Sequence, residues 1–198
     1  MKKALKRTLY TVTGILLLWT AATFWAEYGG TQKVEWVGDE SADKKALVVY
    51  NPDPIYNLDE QVCKSFATGL LKSGFTSKIA TTGFLKEESE SYDLYVFCAN
   101  TYNWAPDWLV TRYIRNHPDL EAKKVVAFTL GSGSTVRSKR LLEEAILSRN
   151  ADLIGSKTYW LMRPNDEGRM KEKNVDVVND MVMNFGREIG RYMSDSNL

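Results

Sequence analysis

Unbroken apolar runs and helical stripes take turns along this chain. Thr8 to Ala26, TLYTVTGILLLWTAATFWA, contains no charged residue. Further on, KALVVY (45–50), YDLYVFCA (92–99) and KKVVAFTL (123–130) are short continuous apolar runs, the pattern of strands buried on both faces. TSKIATT (76–82) and ADLIGSKTYWLM (151–162) read as two more strands, the first weaker and peripheral. Between the strands, apolar residues recur three and four apart. Val62, Phe66 and Leu70 mark a helix from about Leu58 to Ser73 that Gly74 stops. Pro106, Leu109, Val110, Tyr113 and Ile114 mark a second, which ends before His117-Pro118. Leu141, Leu142, Ala145 and Ile146 mark a third. Asn174 caps a last helix with the stripe Val178, Val182, Phe185, Ile189 and Tyr192.

Five strands alternating with helices predict a three-layer α/β domain over residues 45–194, its parallel sheet covered on both faces. Residues 27–44 are rich in Gly, Asp, Glu and Ser and predict a linker, with a short strand at Val34–Val37. The charge-mixed segments KEESES (86–91) and RPNDEGRMKEKN (163–174) predict solvated loops, the second close to any site at the end of the fifth strand.

The run at 8–26 reads as a transmembrane helix. At about 1.5 Å per residue it covers most of a ~30 Å hydrocarbon slab. Tyr10 stands at one end and Trp25 and Tyr28 at the other, where interfacial rings belong. A cleaved signal peptide, leaving a secreted domain, is the alternative, because Lys2, Lys3, Lys6 and Arg7 form a basic stretch (residues 1–7) ahead of the run. Phe24-Trp25-Ala26 is not a small-x-small cleavage site, which favours a retained single-pass anchor. Four basic residues precede the span and only Lys33 follows closely, so the N-terminus is expected in the cytoplasm and the domain on the other side.

The net charge of +1 hides that asymmetry. Setting aside the four N-terminal cations leaves 22 basic against 25 acidic residues, a mildly acidic body that argues against nucleic acid as a partner. Cys63 and Cys98 sit on apolar patterns and read as core residues; a disulfide between them is the other option. His117, the only histidine, lies before a proline at a helix end and reads as a surface or capping residue. No His, Cys, Asp and Glu cluster has metal-ligand spacing, and no Ser-His-acid or Cys-His set is apparent.

Ligands of open parallel sheets bind beyond the carboxyl ends of the strands, where the strand order reverses. Three loops leave that edge: Asn51–Leu58, Ala99–Ala105 and Leu130–Thr135. The third, LGSGS, lets backbone N–H groups approach a ligand closely. The second, ANTYNWAP, places two large aromatics among small polar residues at the end of a buried strand.

ANTYNWAP, the Gly-Ser loop after the next strand, ADLIGSKTYW and the order of elements together resemble the flavodoxin family, across most of residues 45–194. The resemblance implies a flavodoxin-like fold with strand order 2-1-3-4-5 and an FMN site built from the three loops. On that resemblance the cofactor-binding residues are Asn51, Asn57, Asn100, Thr101, Tyr102, Asn103, Trp104, Gly131, Ser132 and Gly133. Thr101 and Tyr102 match the family's Thr-Tyr, and Asn100 stands at its usual proline. Tyr102 or Trp104 would stack on the isoalloxazine, or else cover the sheet edge as packing.

The first loop departs from the family. A hydroxyl- and glycine-rich phosphate loop is expected there, and YNPDPIYNLDEQV has no Ser, Thr or Gly from Asn51 to Asp59. Pro52 and Pro54 remove two N–H donors, while Asp53, Asp59 and Glu60 bring negative charge. Asn57 and Glu60 have capping-box spacing. Two functions follow. One is FMN-dependent electron transfer or flavin-linked oxidoreduction at a membrane, with a redox partner protein or a quinone. The other is a cofactor-free scaffold that binds a protein partner through Tyr56, Trp104 and Trp108. A hydrolase or transferase on the same edge lacks a nucleophile.

Overall fold

A computed structural model describes residues 2–28, 32–84 and 90–195. Most of KEESES lies outside the described residues. The elements in chain order are α1 (Lys2–Glu27), β1 (Val34–Val37), β2 (Lys45–Tyr50), α2 (Leu58–Leu71), β3 (Thr76–Thr81), β4 (Leu94–Tyr102) and β5 (Ala105–Pro106). They continue with α3 (Trp108–Asn116), β6 (Lys124–Gly131), α4 (Val136–Leu147), β7 (Asp152–Trp160), a 3-10 turn (Glu167–Arg169) and α5 (Asn174–Asp195).

The continuous apolar strands are buried on both faces because alternate side chains serve two helical layers. On β2, Ala46, Val48 and Tyr50 join Phe66, Val62 and Val178 beneath α2 and α5. Leu47 and Val49 point the other way and join Val110, Ile114 and Leu142 of α3 and α4. The parallel strands run β3-β2-β4-β6-β7, which in chain order is 2-1-3-4-5, as the resemblance implied.

The sheet has seven strands rather than five. The short strand expected at Val34–Val37 forms as β1 and pairs antiparallel along the outer edge of β3, so TSKIATT is interior, not peripheral. β5 pairs antiparallel with the end of β4. Pro106 therefore lies in a short edge strand, where a missing N–H is harmless, and the helix starts two residues later.

Helices α2 and α5 cross closely enough to need two glycines. A Cβ on Gly69 would come 2.1 Å from the Met183 carbonyl oxygen, and one on Gly186 2.4 Å from that of Phe66. Cys63 and Cys98 are free thiols in the core, and burial pushes the Cys63 thiol up. His117 is buried, not on the surface: its Nδ1 accepts from the Asp119 amide and its ring packs on Tyr95 and Tyr113.

Helix α1 is long and apolar enough to cross a membrane, and none of its apolar stretch is buried against the domain. The carboxyl ends of all five parallel strands fall on one rim, and α1 meets the domain at that same rim.

Candidate functional site

Strand order reverses between β2 and β4, so the loops after these two strands face each other across the switch point. The β2 loop is organised by its own carboxylates. With Pro52 and Pro54 lacking N–H groups, the donors near the start of α2 include the amides of Asp53, Ile55, Tyr56 and Glu60. All four are taken. Asp59 Oδ2 accepts from the Asp53 amide at 2.6 Å and Asp59 Oδ1 from the Glu60 amide at 2.8 Å. Asp53 Oδ1 accepts from the Ile55 and Tyr56 amides at 2.7 and 2.9 Å.

The β4 side completes this network. Asn100 Nδ2 donates to Asp59 Oδ2 at 3.0 Å, and the Tyr102 hydroxyl donates to Asp53 Oδ2 at 2.9 Å. Asn51 Nδ2 donates to Asp107 at 2.7 Å and to the Glu27 carbonyl at 3.2 Å, while its Oδ1 accepts from the Thr82 hydroxyl. Asp107 is fully buried and caps α3, accepting the Leu109 and Val110 amides. Burial pushes the carboxyls of Asp59 and Asp107 each up to about 6, against the pull of the hydrogen bonds they accept. Burial, reinforced by the Asp53 charge, also drives the Tyr102 hydroxyl far above its ordinary value.

The expected capping box does not form. Asn57 takes a left-handed conformation (φ 51°) and makes no side-chain cap. Glu60 is drawn away to Lys33 and Lys64 at 3.1 and 3.0 Å. Asn174 likewise clamps a loop instead of capping: its amide donates to the carbonyls of Trp160, Leu161 and Arg163.

The aromatic loop is a two-residue hairpin. Thr101 pairs with Pro106 and Tyr102 with Ala105, leaving Asn103 (φ 49°) and Trp104 (φ 61°) as the turn. Positive φ at both central residues is what the type I′ turn requires, and asparagine tolerates it. Tryptophan does not. A left-handed L-residue of this kind costs about 1–2 kcal/mol, yet Trp104 stands at the tip, 62% exposed. Asn103 is held by α1: its Oδ1 accepts from Trp19 Nε1 at 3.0 Å and its Nδ2 donates to Thr23 Oγ1 at 3.1 Å.

Behind the hairpin, Gly131 packs on Thr101 and Thr135, and the Thr101 hydroxyl donates to Ser138 on α4. Ser132, Gly133 and Ser134 are exposed, and a Cβ on Gly133 would meet nothing within 4 Å. The sequence-derived residues thus divide into three groups. Asn51, Asn100 and Tyr102 enter the carboxylate network; Thr101 and Gly131 pack together; Asn57, Asn103, Trp104, Ser132 and Gly133 line the outer rim. Asp107, Thr82 and Ser138 were not anticipated. Only Asp107 carried a signal, an acidic residue directly after a proline and before an apolar stripe, which is an N-cap signature. Among the described residues, no group of three or more His, Cys, Asp or Glu could hold a metal ion.

No family model and no curated protein matches the sequence. Solved structures do. A flavodoxin from the domain Archaea superposes with TM-score 0.56 at 13% identity, covering 76% of this chain and 99% of that one. A flavodoxin, WrbA-like protein from Agrobacterium tumefaciens gives 0.53 at 10% identity, covering 78% and 99%. Rubredoxin oxygen:oxidoreductase from Desulfovibrio gigas gives 0.57 at 15%, covering 76% of this chain and 36% of that one. The domain has the flavodoxin-like fold. At such identities the likeness is one of fold, and the chemistry is decided by the residues present.

Those residues do not fit the phosphate end of FMN. In this flavodoxin-like domain the loop after β2 already holds two carboxylates on the four amides named above. At about 4 Å and an effective dielectric near 20, each unit charge would repel a phosphate charge by on the order of 4 kcal/mol. The loop carries its own anions in the place where a ligand anion would dock.

Proposed function

We propose that this chain is a membrane-tethered, flavodoxin-like module that works by binding through its loop rim, not by holding FMN. The observation that carries the reading is the pairing of Asp53 and Asp59 with the Asp53, Ile55 and Tyr56 amides of the loop and the Glu60 amide in the first turn of α2, which occupies these four donors internally. The network further ties down Tyr102, one of two rings in reach of a flavin, and leaves Tyr56, Trp104 and Trp108 outward as contact residues. The N-terminal cations favour a cytoplasmic amino end with the domain across the membrane; a reporter fused to the C-terminus tests this, and a cytoplasmic signal would reverse the orientation.

A second reading, flavin-linked electron transfer, is favoured by the exposed Trp104 indole beside the open Ser132–Ser134 loop. In that case the site would take the flavin by its ring, the flavin supplying the redox chemistry and the chain only stacking and amide contacts. One titration separates the two. The full chain in detergent is mixed with FMN and, separately, with riboflavin, and flavin fluorescence is followed. Binding of neither supports the module. Equal binding of both supports ring capture. Tight FMN binding with weak riboflavin binding would overturn the loop argument.

A further inference from the structure

Each of the five parallel strands delivers an exposed, large apolar residue to the rim at its carboxyl end. They are Ile55 after β2, Phe84 after β3, Trp104 after β4, Val136 after β6 and Met162 after β7. Exposure is 62% for Ile55, 79% for Val136 and 71% for Met162, so these side chains cover no core of their own. Single exposed apolar residues are ordinary; one beyond the carboxyl end of every parallel strand is not a scatter. At the opposite edge Phe75, Tyr92 and Leu120 are buried, while Leu71 and Leu147, at the ends of α2 and α4, are 40% and 53% exposed.

The apolar helix ends on this same rim. The Asn51 amide reaches the carbonyl of Glu27, its last residue. The hairpin tip reaches back along it to Trp19, eight residues or about 12 Å before that end. In a spanning helix whose apolar run ends at Ala26, about 12 Å inward from Glu27 lies deep in the hydrocarbon of that leaflet, short of the bilayer midplane. Asn103 arrives there with its amide satisfied on both sides, by Trp19 and Thr23, as a polar group at that depth must be. Trp104, held in a strained conformation beside it, is carried to the same level. Further from the tip, Arg112 lies over the Trp108 ring at 5.8 Å and Arg163 over Trp160 at 5.6 Å, cation–ring pairs suited to the headgroup layer.

We infer that the rim is a lipid-facing surface: the domain sits loop-edge down on the bilayer, with the Asn103–Trp104 hairpin and the apolar loop residues inserted beside α1. This rests on reading the rim as the binding surface and names its occupant. Anything that reaches the switch point then arrives from the membrane phase.

The test uses the full chain in phosphatidylcholine–phosphatidylglycerol vesicles, with the polarity-sensitive dye NBD on cysteines introduced one at a time by Val136→Cys or Met162→Cys, and wild type treated alike as the blank for buried Cys63 and Cys98. Lys72→Cys and Arg191→Cys, exposed at the far edge, serve as controls. Lipids carrying a doxyl quencher high on the acyl chain should quench the rim labels several-fold more than the controls, with a blue-shifted emission. Equal quenching at both edges overturns the inference. A blue shift without doxyl quenching means that a second copy of the chain or another protein covers the rim, which also overturns it. Extraction of the vesicles with alkaline carbonate separates the causes: a released chain removes the anchor and the rim together, a retained chain with unquenched rim labels removes the rim alone. Neither result bears on flavin, which the titration reports independently.

Discussion

Replacing Asp59 by asparagine tests the carboxylate network through its pH dependence. Asp59 is fully buried, and burial lifts its carboxyl from 3.8 to about 6 in the folded state. A raised carboxyl means that the folded protein binds the proton more tightly than the unfolded chain. The contribution to stability is therefore complete below pH 4 and is lost as the pH rises through 6. Two pH units of displacement correspond to about 3 kcal/mol. In Asp59→Asn the amide oxygen can still accept from the Asp53 amide and Asn100, but the amide nitrogen then faces the Glu60 N–H. That conflict costs about 1–3 kcal/mol at any pH. Unfolding by urea, followed by circular dichroism on the full chain in detergent at pH 4 to 7, gives wild type minus variant at each pH. The subtraction cancels the exposed ion pairs, whose dependence runs the other way and is small. Wild type should lose about 2.4 kcal/mol of that total relative to Asp59→Asn between pH 4 and pH 7. A difference constant across that range would refute the account, because it would mean that Asp59 is not desolvated in the folded protein.

Three further outcomes follow from particular contacts. Asp107→Ala removes the cap of the short helix α3 and the partner of buried Asn51, and should lower stability by about 2–4 kcal/mol, read as a fall in thermal midpoint. Gly186→Ala drives a methyl into the Phe66 carbonyl and should destabilise by about 2–3 kcal/mol, and Gly190→Ala, which meets the backbone-fixed Ser73 Cβ, should cost a comparable amount in the same urea series, whereas Gly133→Ala, with nothing within 4 Å, should cost little. Trp104→Gly relieves the left-handed turn and should raise stability by about 1 kcal/mol in detergent while reducing doxyl quenching of a Val136→Cys label in vesicles; a loss of stability would show that the indole is packing, not probing.

Most of the parallel core was legible in the sequence because burial on both faces imposes a pattern that survives without tertiary context. Runs such as KALVVY and KKVVAFTL admit few other placements, and the stripes on α2 and α5 name the face that covers them. The apolar stretch 8–26 announced a helix able to cross a membrane for the same reason. Of the short edge strands, VEWV was legible but its partner was not, and Ala105–Pro106, read as the start of a helix, is a strand only because β4 presents an edge to it.

The site divides along the same line. The sequence by itself determined that the phosphate loop lacks hydroxyls and glycine and carries acids, since this is a matter of composition. Only the tertiary structure decided that the acids accept the loop's own amides, that Asn100 and Tyr102 lock onto them across the switch point, and that Glu60 goes to Lys33 and Lys64 instead of capping α2. Those partners lie far apart in the chain, and a hydrogen bond depends on a separation of about 3 Å that no local pattern encodes. Likewise, five apolar residues that follow five separate strands become one surface only when a parallel sheet brings every strand end to the same edge.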